Sequence, residues 1–327
     1  MNREQPYAGL DPDTILAAVE SLDLVPDRRL LALNSFENRV WQIGLEGGEP
    51  LVAKFYRPGR WSDAAIIEEH DFALELEAAG LPVVAPLAFN GATLHHYGAY
   101  RFALFPRRGG HAPELSDPET LRHLGRVLGR WHAIGATRRF QHRPRLTIAA
   151  FGREARSELQ HCPFLPPHLT ALFVELSARL LADVEAAWQR AEPVAEIRLH
   201  GDCHPGNILW RDGAHFVDLD DTMSGPAIQD LWMLLAGERD EMTAQLTALL
   251  EGYTTFFTFD PRQLHLIEAL RSLRLLHYNA WIARRWHDPA FPLAFPWFSE
   301  PRHFEQLLNQ IREQIAALQE PPLEIIL

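Results

Sequence analysis

The sequence predicts an α+β protein of two lobes, an N-terminal lobe over residues 1–106 and a C-terminal lobe over residues 107–327. Up to residue 106 the chain has short apolar segments typical of antiparallel strands, with one long helical stretch among them. A Pro/Gly-rich stretch at 106–110 interrupts this pattern and marks the predicted boundary. Beyond it, apolar residues recur at helical spacing, which predicts a mostly helical lobe. The 327 residues are enough for two such cores.

The N-terminal lobe is predicted to be a small antiparallel sheet with a single helix packed on it, after a short leading helix. The predicted helices cover 11–23 and 62–79, and the predicted strands cover 30–33, 39–45, 50–56, 87–94 and 100–105. The segment 34–39, between the first two strands, contains no glycine but carries polar Asn34, Ser35 and Asn38. It is either a loop that donates hydrogen bonds to a phosphate or a plain polar hairpin turn.

The C-terminal lobe has apolar-faced segments at helical spacing on both sides of one short hairpin. The predicted helices cover 117–134, 167–190, 239–255, 261–285 and 303–318, and a further helix begins within 225–232. The hairpin consists of the apolar runs 208–210 and 214–217, joined by Asp212-Gly213. The three tryptophans Trp281, Trp286 and Trp297 either line a cation-binding pocket or belong to the core.

The hairpin carries the polar residues on which the functional prediction depends. Asp202 follows His200-Gly201, Asn207 comes five residues later, and Asp218 ends the second strand. The hairpin is expected to bring Asn207 and Asp218 together, with Asp202 in the loop just before it. A phosphotransferase needs a carboxylate at the attacking hydroxyl, and an amide and a second carboxylate that hold magnesium on the nucleotide. A polar turn with capping side chains is the alternative.

The lysine count points to the same chemistry. Among 31 basic residues Lys54 is the only lysine, and it lies in the apolar strand-like segment 51–55. An ammonium at such a position is typical of a strand that contacts nucleotide phosphates, and arginine is not equivalent to it there. The alternative is a lysine retained by chance. Glu68 and Glu69, on the predicted helix 62–79, are the candidate carboxylate partners of this lysine.

Composition excludes several other classes of function. The formal net charge of −12 argues against nucleic acid or an anionic membrane as the main partner. No apolar run is long enough for a membrane span, and the start of the chain lacks the apolar core of a signal peptide. The two cysteines, Cys162 and Cys203, give no disulfide framework. We therefore expect a cytoplasmic protein.

Beyond these motifs, the whole chain resembles the family of aminoglycoside phosphotransferases, choline kinases and homoserine kinases, which have the protein-kinase fold. The stretches that carry the resemblance include LNSFENRV, VAKFYRPGRW, LHGDCHPGNILWRDG, FVDLDD, GPAIQDLWMLL and HYNAWIARRW. More narrowly, it resembles the bacterial stress response kinases of that family, which are serine/threonine protein kinases. One departure is that Leu219-Asp220-Asp221 follows Asp218, where protein kinases have Phe-Gly.

The resemblance implies a role for individual residues. It makes Asp202 and Asp218 catalytic, with Asp202 as the proton acceptor, and it makes Asn207 and Asp218 magnesium ligands. It implies that Asp230 braces the loop of Asp202, and it favours Glu69 over Glu68 because of its distance to Gly80. The implied contacts with ATP are Ser35, Lys54, Glu69 and the backbone near Leu104 and Phe105.

The leading prediction is an ATP- and magnesium-dependent kinase that acts on serine and threonine hydroxyls of proteins. Its expected partners are ATP and protein substrates, with no nucleic acid and no membrane, and it is expected to be a monomer. A small-molecule kinase of the same fold is the near alternative. Two remoter ones are a metal-dependent hydrolase built on His200, Asp202 and His204, and an ATP-binding pseudokinase.

Overall fold

The computed structural model of the chain describes residues 6–325. Its strands are β1 (Pro26–Leu33), β2 (Arg39–Leu45), β3 (Leu51–Phe55), β4 (His95–Tyr97), β5 (Tyr100–Pro106), β6 (Ile197–Leu199), β7 (Ile208–Trp210), β8 (Ala214–Phe216) and β9 (Met223–Gly225). Its α-helices are α1 (Pro12–Glu20), α2 (Asp63–Ala78), α3 (Pro118–Gly135), α4 (Ala155–Gln160), α5 (Pro167–Ala191), α6 (Ile228–Trp232), α7 (Arg239–Tyr253), α8 (Ile267–Arg285), α9 (Ala290–Ala294) and α10 (Pro301–Ala317).

The N-terminal part is built on a five-stranded sheet in the order β1-β2-β3-β5-β4, and all its neighbouring strands are antiparallel. Apolar side chains of α1, among them Ile15 and Val19, pack with Ile43, Phe55 and Leu104 of the sheet. The strands β6 to β9 form separate two-stranded pairs, and the rest of the C-terminal part is helical. This arrangement confirms the predicted α+β fold class with an antiparallel N-terminal sheet.

The chain divides into two compact units. The first runs up to Glu114 and also contains Phe140–Arg143 and His204–Thr222; the second comprises Leu115–Arg139, Pro144–Cys203 and the chain from Met223 onward. The hairpin β7–β8 therefore belongs to the first unit, although it lies late in the sequence. The predicted boundary between residues 106 and 107 stays a prediction.

The strand predicted over 87–94 is wrong. A tight turn interrupts this segment, because Asn90 and Gly91 both have positive φ (51° and 78°). Phe89 and Ala92 donate to each other's carbonyl oxygens across it, at 2.8 and 3.0 Å. Asn-Gly is the commonest signal for such a turn. The regular strand in this region is β4, which begins after the predicted segment ends.

In the second unit, most helices have bounds near the predicted ones, but several details differ. The segment Ala149–Glu154 is a π-helical turn that leads into α4, and neither was predicted. The predicted helix 261–285 begins as a 3-10 helix, Pro261–Leu266, before α8. The helix that begins near 225 is only the five-residue α6. In residues 6–325 no helix has the length and apolar character that crossing a bilayer requires.

Helices α3 and α7 pack with their backbones in close approach, and glycine makes this possible. A Cβ atom added at Gly125 would lie 2.0 Å from the carbonyl oxygen of Leu249, and one at Gly129 would lie 2.4 Å from that of Tyr253. From the opposite side, a Cβ at Gly252 would lie 2.1 Å from the carbonyl oxygen of Arg122. The three glycines therefore set the spacing of the two helices.

We expect Gly125→Ala to destabilise the protein by about 1–3 kcal/mol, the usual cost of overpacking. Alanine is intrinsically the better helix former by about 1 kcal/mol, so a loss of stability reports the helix contact rather than propensity. Thermal or urea denaturation measures the difference. Gly48→Ala is the control, since a Cβ there meets only Leu45 at 3.5 Å. A Gly125→Ala protein as stable as the parent would contradict the close approach.

Candidate active site

The first unit contains a cavity of about 320 Å³ in which most of the sequence-predicted nucleotide residues meet. Its apolar lining is Leu33, Val40, Val52, Ala73, Val84, Pro86, Phe105, Pro106, Leu209, Val217 and Leu219. Its polar lining is Asn34, Ser35, Lys54, Glu69, His70, Arg108, Asn207 and Asp218, with the backbone of Gly206. Leu104 is not among the lining residues: its side chain is buried in the core, and its carbonyl oxygen accepts from the Leu87 N–H at 2.7 Å. The cavity therefore combines an apolar lining with polar and charged side chains.

Lys54 lies in β3, paired with Val40 of β2 and Ala103 of β5, so its backbone is fixed on both sides. Its Nζ is 2.9 Å from Asp218 Oδ1, 3.4 Å from Asp220 Oδ1 and 3.9 Å from Glu69 Oε1. Burial by itself would lower the pKa of the ammonium, but the three carboxylates outweigh it and hold that pKa well above its ordinary value. Lys54 is therefore a buried, fully charged donor at the cavity wall.

Glu68 and Glu69, adjacent on α2, have different contacts. Glu69 is buried beside Lys54, and its Oε2 is 3.6 Å from Arg143 Nη1. Glu68 accepts the backbone N–H groups of Gln141, His142 and Arg143 at 2.6, 2.7 and 2.8 Å. Glu69, the preferred candidate, thus lies beside Lys54, whereas Glu68 anchors α2 to the segment 140–143.

Asp220 is a buried acid for which the sequence predicted no role. It pairs with Arg60, which also pairs with Asp221, and its backbone oxygen accepts from Arg143. Burial would raise the pKa of Asp220, but the charges of Arg60, Lys54 and Arg143 outweigh it and lower that pKa. Asp220 therefore fixes this segment through ion pairs, where a kinase with Phe-Gly has no charged side chain. Its signal in the sequence was a second acid two residues after Asp218 in FVDLDD.

Asn207 and Asp218 lie at the outer ends of the hairpin β7–β8, as predicted. The Val217 N–H donates to the Asn207 carbonyl oxygen at 3.0 Å, which joins the two ends. Asp218 has left-handed backbone angles, φ 59° and ψ 64°, a conformation that aspartate tolerates better than most residues. Both residues line the cavity, and the Asp218 side chain is 53% exposed. One amide oxygen and one carboxylate, open to a cavity, form a donor set that fits magnesium.

The loop 34–38 contains no glycine, and hydrogen bonds to its backbone and side-chain oxygens stabilise its conformation. The Glu37 carbonyl accepts from the Tyr7 hydroxyl at 2.9 Å and from Arg57 Nε at 3.0 Å. Asn38 is buried, and its side-chain oxygen accepts the Arg57 N–H at 3.1 Å. Ser35 lines the cavity, whereas Asn38 is a structural residue of the loop.

Asp202 belongs to the second unit, where buried polar groups hold the backbone just before it. The Asp230 carboxylate accepts the N–H groups of His200 and Gly201 at 2.8 and 2.9 Å, so the expected bracing is present. Asp230 is bound in turn by His132 at 3.1 Å, and His132 by the Tyr253 hydroxyl at 2.8 Å. The loop position thus depends on α3 and α7.

The side chain of Asp202 is ion-paired. Arg274 Nη1, on α8, donates to Asp202 Oδ1 at 2.6 Å. Nothing in the sequence pointed to this arginine, because it lies 72 residues away in an ordinary helical stretch. Asp202 is therefore a carboxylate with a fixed cationic neighbour.

Two alternatives raised by the sequence find no support in the geometry. Within residues 6–325 no three His, Cys, Asp or Glu side chains are grouped so as to hold a metal ion, which the hydrolase built on His200, Asp202 and His204 requires. The tryptophans belong to an aromatic cluster: Trp281 contacts Phe291 at 4.9 Å and Trp286 contacts Phe164 at 5.1 Å between ring centroids.

Comparison with known proteins yields a family and close relatives. The phosphotransferase enzyme family APH matches residues 29–267. Stress response kinase A of Escherichia coli (strain K12) is 45% identical over 319 residues, covering 98% of this chain and 97% of that protein. The serine/threonine protein kinase RdoA of Salmonella typhimurium matches with the same identity and coverage.

Solved structures share the fold. Amicoumacin kinase hAmiN, in complex with AMP-PNP, Ca²⁺ and Ami, has a TM-score of 0.74 at 16% identity, over 99% of this chain and 97% of that chain. The microcompartment-associated aminopropanol kinase has a TM-score of 0.72 at 16% identity, over 97% and 100%. At this identity the likeness concerns the fold alone.

The first prediction from this site concerns Glu69 and pH. Burial raises the pKa of Glu69 to about 7, above its ordinary value of 4.5. The charge of Lys54 opposes this rise, and the charge of Asp220 adds to it. The folded protein therefore keeps a proton that the unfolded chain releases near pH 4.5, and the stability from that proton is lost as pH rises through about 7. We expect the parent protein to lose stability relative to Glu69→Gln between pH 5.5 and 8.5.

Thermal denaturation of both proteins at the two pH values measures the effect, because other titrating groups cancel in the difference. Glu77→Gln, at an exposed position on the same helix, is the control. A gap between parent and Glu69→Gln that is the same at both pH values would contradict the raised pKa.

Proposed function

This chain belongs to the APH phosphotransferase enzyme family, and we propose that it is an ATP- and magnesium-dependent kinase whose acceptors are serine and threonine hydroxyls of proteins. The observation that carries the proposal is the cavity in which the lone lysine meets Asp218, with Asn207 on the same lining. The protein acceptor is supported by the relative named a serine/threonine protein kinase, which matches nearly the whole chain. We also propose that the kinase acts in the cytoplasm, as suits its free, buried cysteines.

The proposed roles in nucleotide binding follow from the apolar and polar lining of the cavity. Apolar Val40, Val52 and Phe105 suit the adenine base, and the Lys54 ammonium donates hydrogen bonds to phosphate oxygens. Asn207 and Asp218 would hold the magnesium ion. When bound, that ion neutralises charge on the phosphates. Glu69, whose Oε1 is 3.9 Å from Nζ, helps to orient the Lys54 ammonium.

In the proposed reaction the acceptor oxygen forms a bond to the γ-phosphorus while the bond between that phosphorus and the bridging oxygen of ADP breaks. The hydroxyl proton passes to the Asp202 carboxylate, and ADP leaves with the electron pair. A positioned general base contributes roughly 10²–10⁴-fold to the rate of such a step. Asp202 is suited to this role because the hydrogen bonds from His200 and Gly201 to Asp230 fix its backbone.

We expect Asp202→Asn and Asp218→Asn to fail in different ways. Asp202→Asn should bind Mg-ATP normally and lose roughly 10²–10⁴-fold in kcat, because the base is gone. Asp218→Asn should lose magnesium-dependent binding of ATP as well as turnover. Asparagine suits the left-handed backbone at 218, and Asp220 and Glu69 stay beside the Lys54 ammonium, so folding is retained. Calorimetric titration with Mg-ATP and a radiolabelled phosphate-transfer assay with mixed protein acceptors separate the two effects.

Asp212→Asn is the matched control, since Asp212 has a similar φ of 57° in the turn of the same hairpin. Loss of ATP affinity in Asp202→Asn, with unchanged turnover of bound ATP, would make Asp202 a nucleotide ligand. Transfer to small alcohols but to no protein would favour the small-molecule alternative.

The lone lysine allows a direct test of the nucleotide site. An amine-directed ATP analogue should label one internal residue, Lys54, and excess Mg-ATP should protect it. Lys54→Arg should reduce activity although it keeps the charge, because the planar guanidinium is larger than the buried ammonium it replaces. Mass spectrometry of the labelled protein and a turnover assay give the two readouts. Equal labelling with and without Mg-ATP, together with a fully active Lys54→Arg enzyme, would contradict the proposed role.

A further inference from the structure

The feature that the proposed reaction leaves unexplained is Arg274. It donates to Asp202 Oδ1 at 2.6 Å, so a permanent positive charge lies against the carboxylate that the proposal makes the proton acceptor. Both residues belong to the second unit. A reaction that needs only a general base does not require an arginine here, and a cation at this position affects which acceptors are able to approach.

The guanidinium of Arg274 has more N–H donors than its hydrogen bond to Asp202 uses. A guanidinium carries five N–H donors in a rigid plane. Within residues 6–325, Arg274 has Asp202 as its one hydrogen-bond and ion-pair partner, and its side chain is 40% exposed. The remaining N–H groups are therefore available to a second anion beside Asp202. Planar N–H pairs of this kind match the two oxygens of a carboxylate.

An aromatic side chain lies next to this arginine. Tyr278 is one turn further along α8, on the same face, and the residue is 40% exposed. Its ring centroid is 5.7 Å from that of Trp281 and 6.4 Å from that of Phe295, so it belongs to the surrounding aromatic cluster. The exposed surface near Asp202 thus includes a cation and an aromatic ring, a combination common where a peptide binds.

We propose that Arg274 determines acceptor specificity: it selects serine or threonine hydroxyls flanked by a carboxylate side chain and disfavours cationic acceptors. The inference rests on the proposed function and adds the chemical class of its substrate. An acidic flanking residue pairs with the outward N–H groups of Arg274, which brings its neighbouring hydroxyl to Asp202. A lysine or amine at the same position is repelled by Arg274.

The test uses three serine peptides that differ only in the residues flanking the serine, which are Glu, Gln or Lys. The full-length parent should show a KM for the Glu peptide roughly 10- to 100-fold below that for the Lys peptide, the size expected of a hydrogen bond between charged groups. Arg274→Gln should raise the KM of the Glu peptide to that of the Gln peptide. Arg274→Lys should keep a weaker preference of the same sign, because the charge remains.

Arg284→Gln is the matched control, since Arg284 lies on the same helix, is 34% exposed and pairs with the single acid Glu158. It should retain the parent's preference. Equal KM values for the three peptides in the parent, a preference for the Lys peptide, or an unchanged preference in Arg274→Gln would overturn the inference while leaving the kinase proposal intact.

Transfer to none of the peptides would instead overturn the protein-kinase proposal. In that case a small hydroxy acid and a small amino alcohol provide the same contrast of charge. Preference for the hydroxy acid, lost in Arg274→Gln, would support the role of Arg274, and preference for the amino alcohol would overturn it.

Discussion

The ammonium of Lys54, surrounded by Asp218, Asp220 and Glu69, is the interaction on which the cavity depends. Buried charges are costly unless each finds an opposite charge nearby, and a buried pair that loses one partner is strongly destabilised. Arg60 and Arg143 supply the two further cations that this group of acids needs. Because the members come from β3, α2 and the segment after β8, satisfying the charges fixes these three elements together. The position of the proposed phosphate-binding groups thus follows from charge balance.

Carboxylates that accept backbone N–H groups serve the same end in both units. Glu68 holds the segment 140–143 in the first unit, and Asp230 holds His200 and Gly201 in the second. A carboxylate fixed by two or three N–H groups orients the main chain more firmly than a single side-chain contact does, because each hydrogen bond is charge-assisted. The loops that carry the proposed chemistry are short and irregular, so they depend on such contacts instead of a regular hydrogen-bonding ladder. Precise placement of the reacting groups is what a phosphotransferase requires, since most of its catalysis is positioning.

The parts of the fold and site that sequence reasoning predicted are local in the chain. The hairpin, its Asp-Gly turn and the outer positions of Asn207 and Asp218 follow from two short apolar runs, and Lys54 was singled out by composition. The error at 87–94 came from reading apolar residues across an Asn-Gly turn. What sequence reasoning missed are partners distant in the chain, such as Arg60 for Asp220 and Arg274 for Asp202. In a chain with 31 basic residues, only tertiary packing determines which arginine meets which acid.

Arg274 also shows that the charges close to Asp202 differ in sign from the net charge of the whole protein. A net charge of −12 suits a cationic acceptor when the protein is considered as a whole, because long-range fields steer charged ligands. At physiological salt, however, exposed charges more than about 8 Å apart are largely screened, so discrimination at the reacting hydroxyl depends on the nearest charges. There the Asp202 carboxylate is already paired with Arg274 at 2.6 Å, so it attracts an approaching ammonium only weakly. The Arg274–Asp202 pair, and not the net charge, therefore sets the proposed preference for the charge of the acceptor. It favours an acidic acceptor, although the protein itself is acidic.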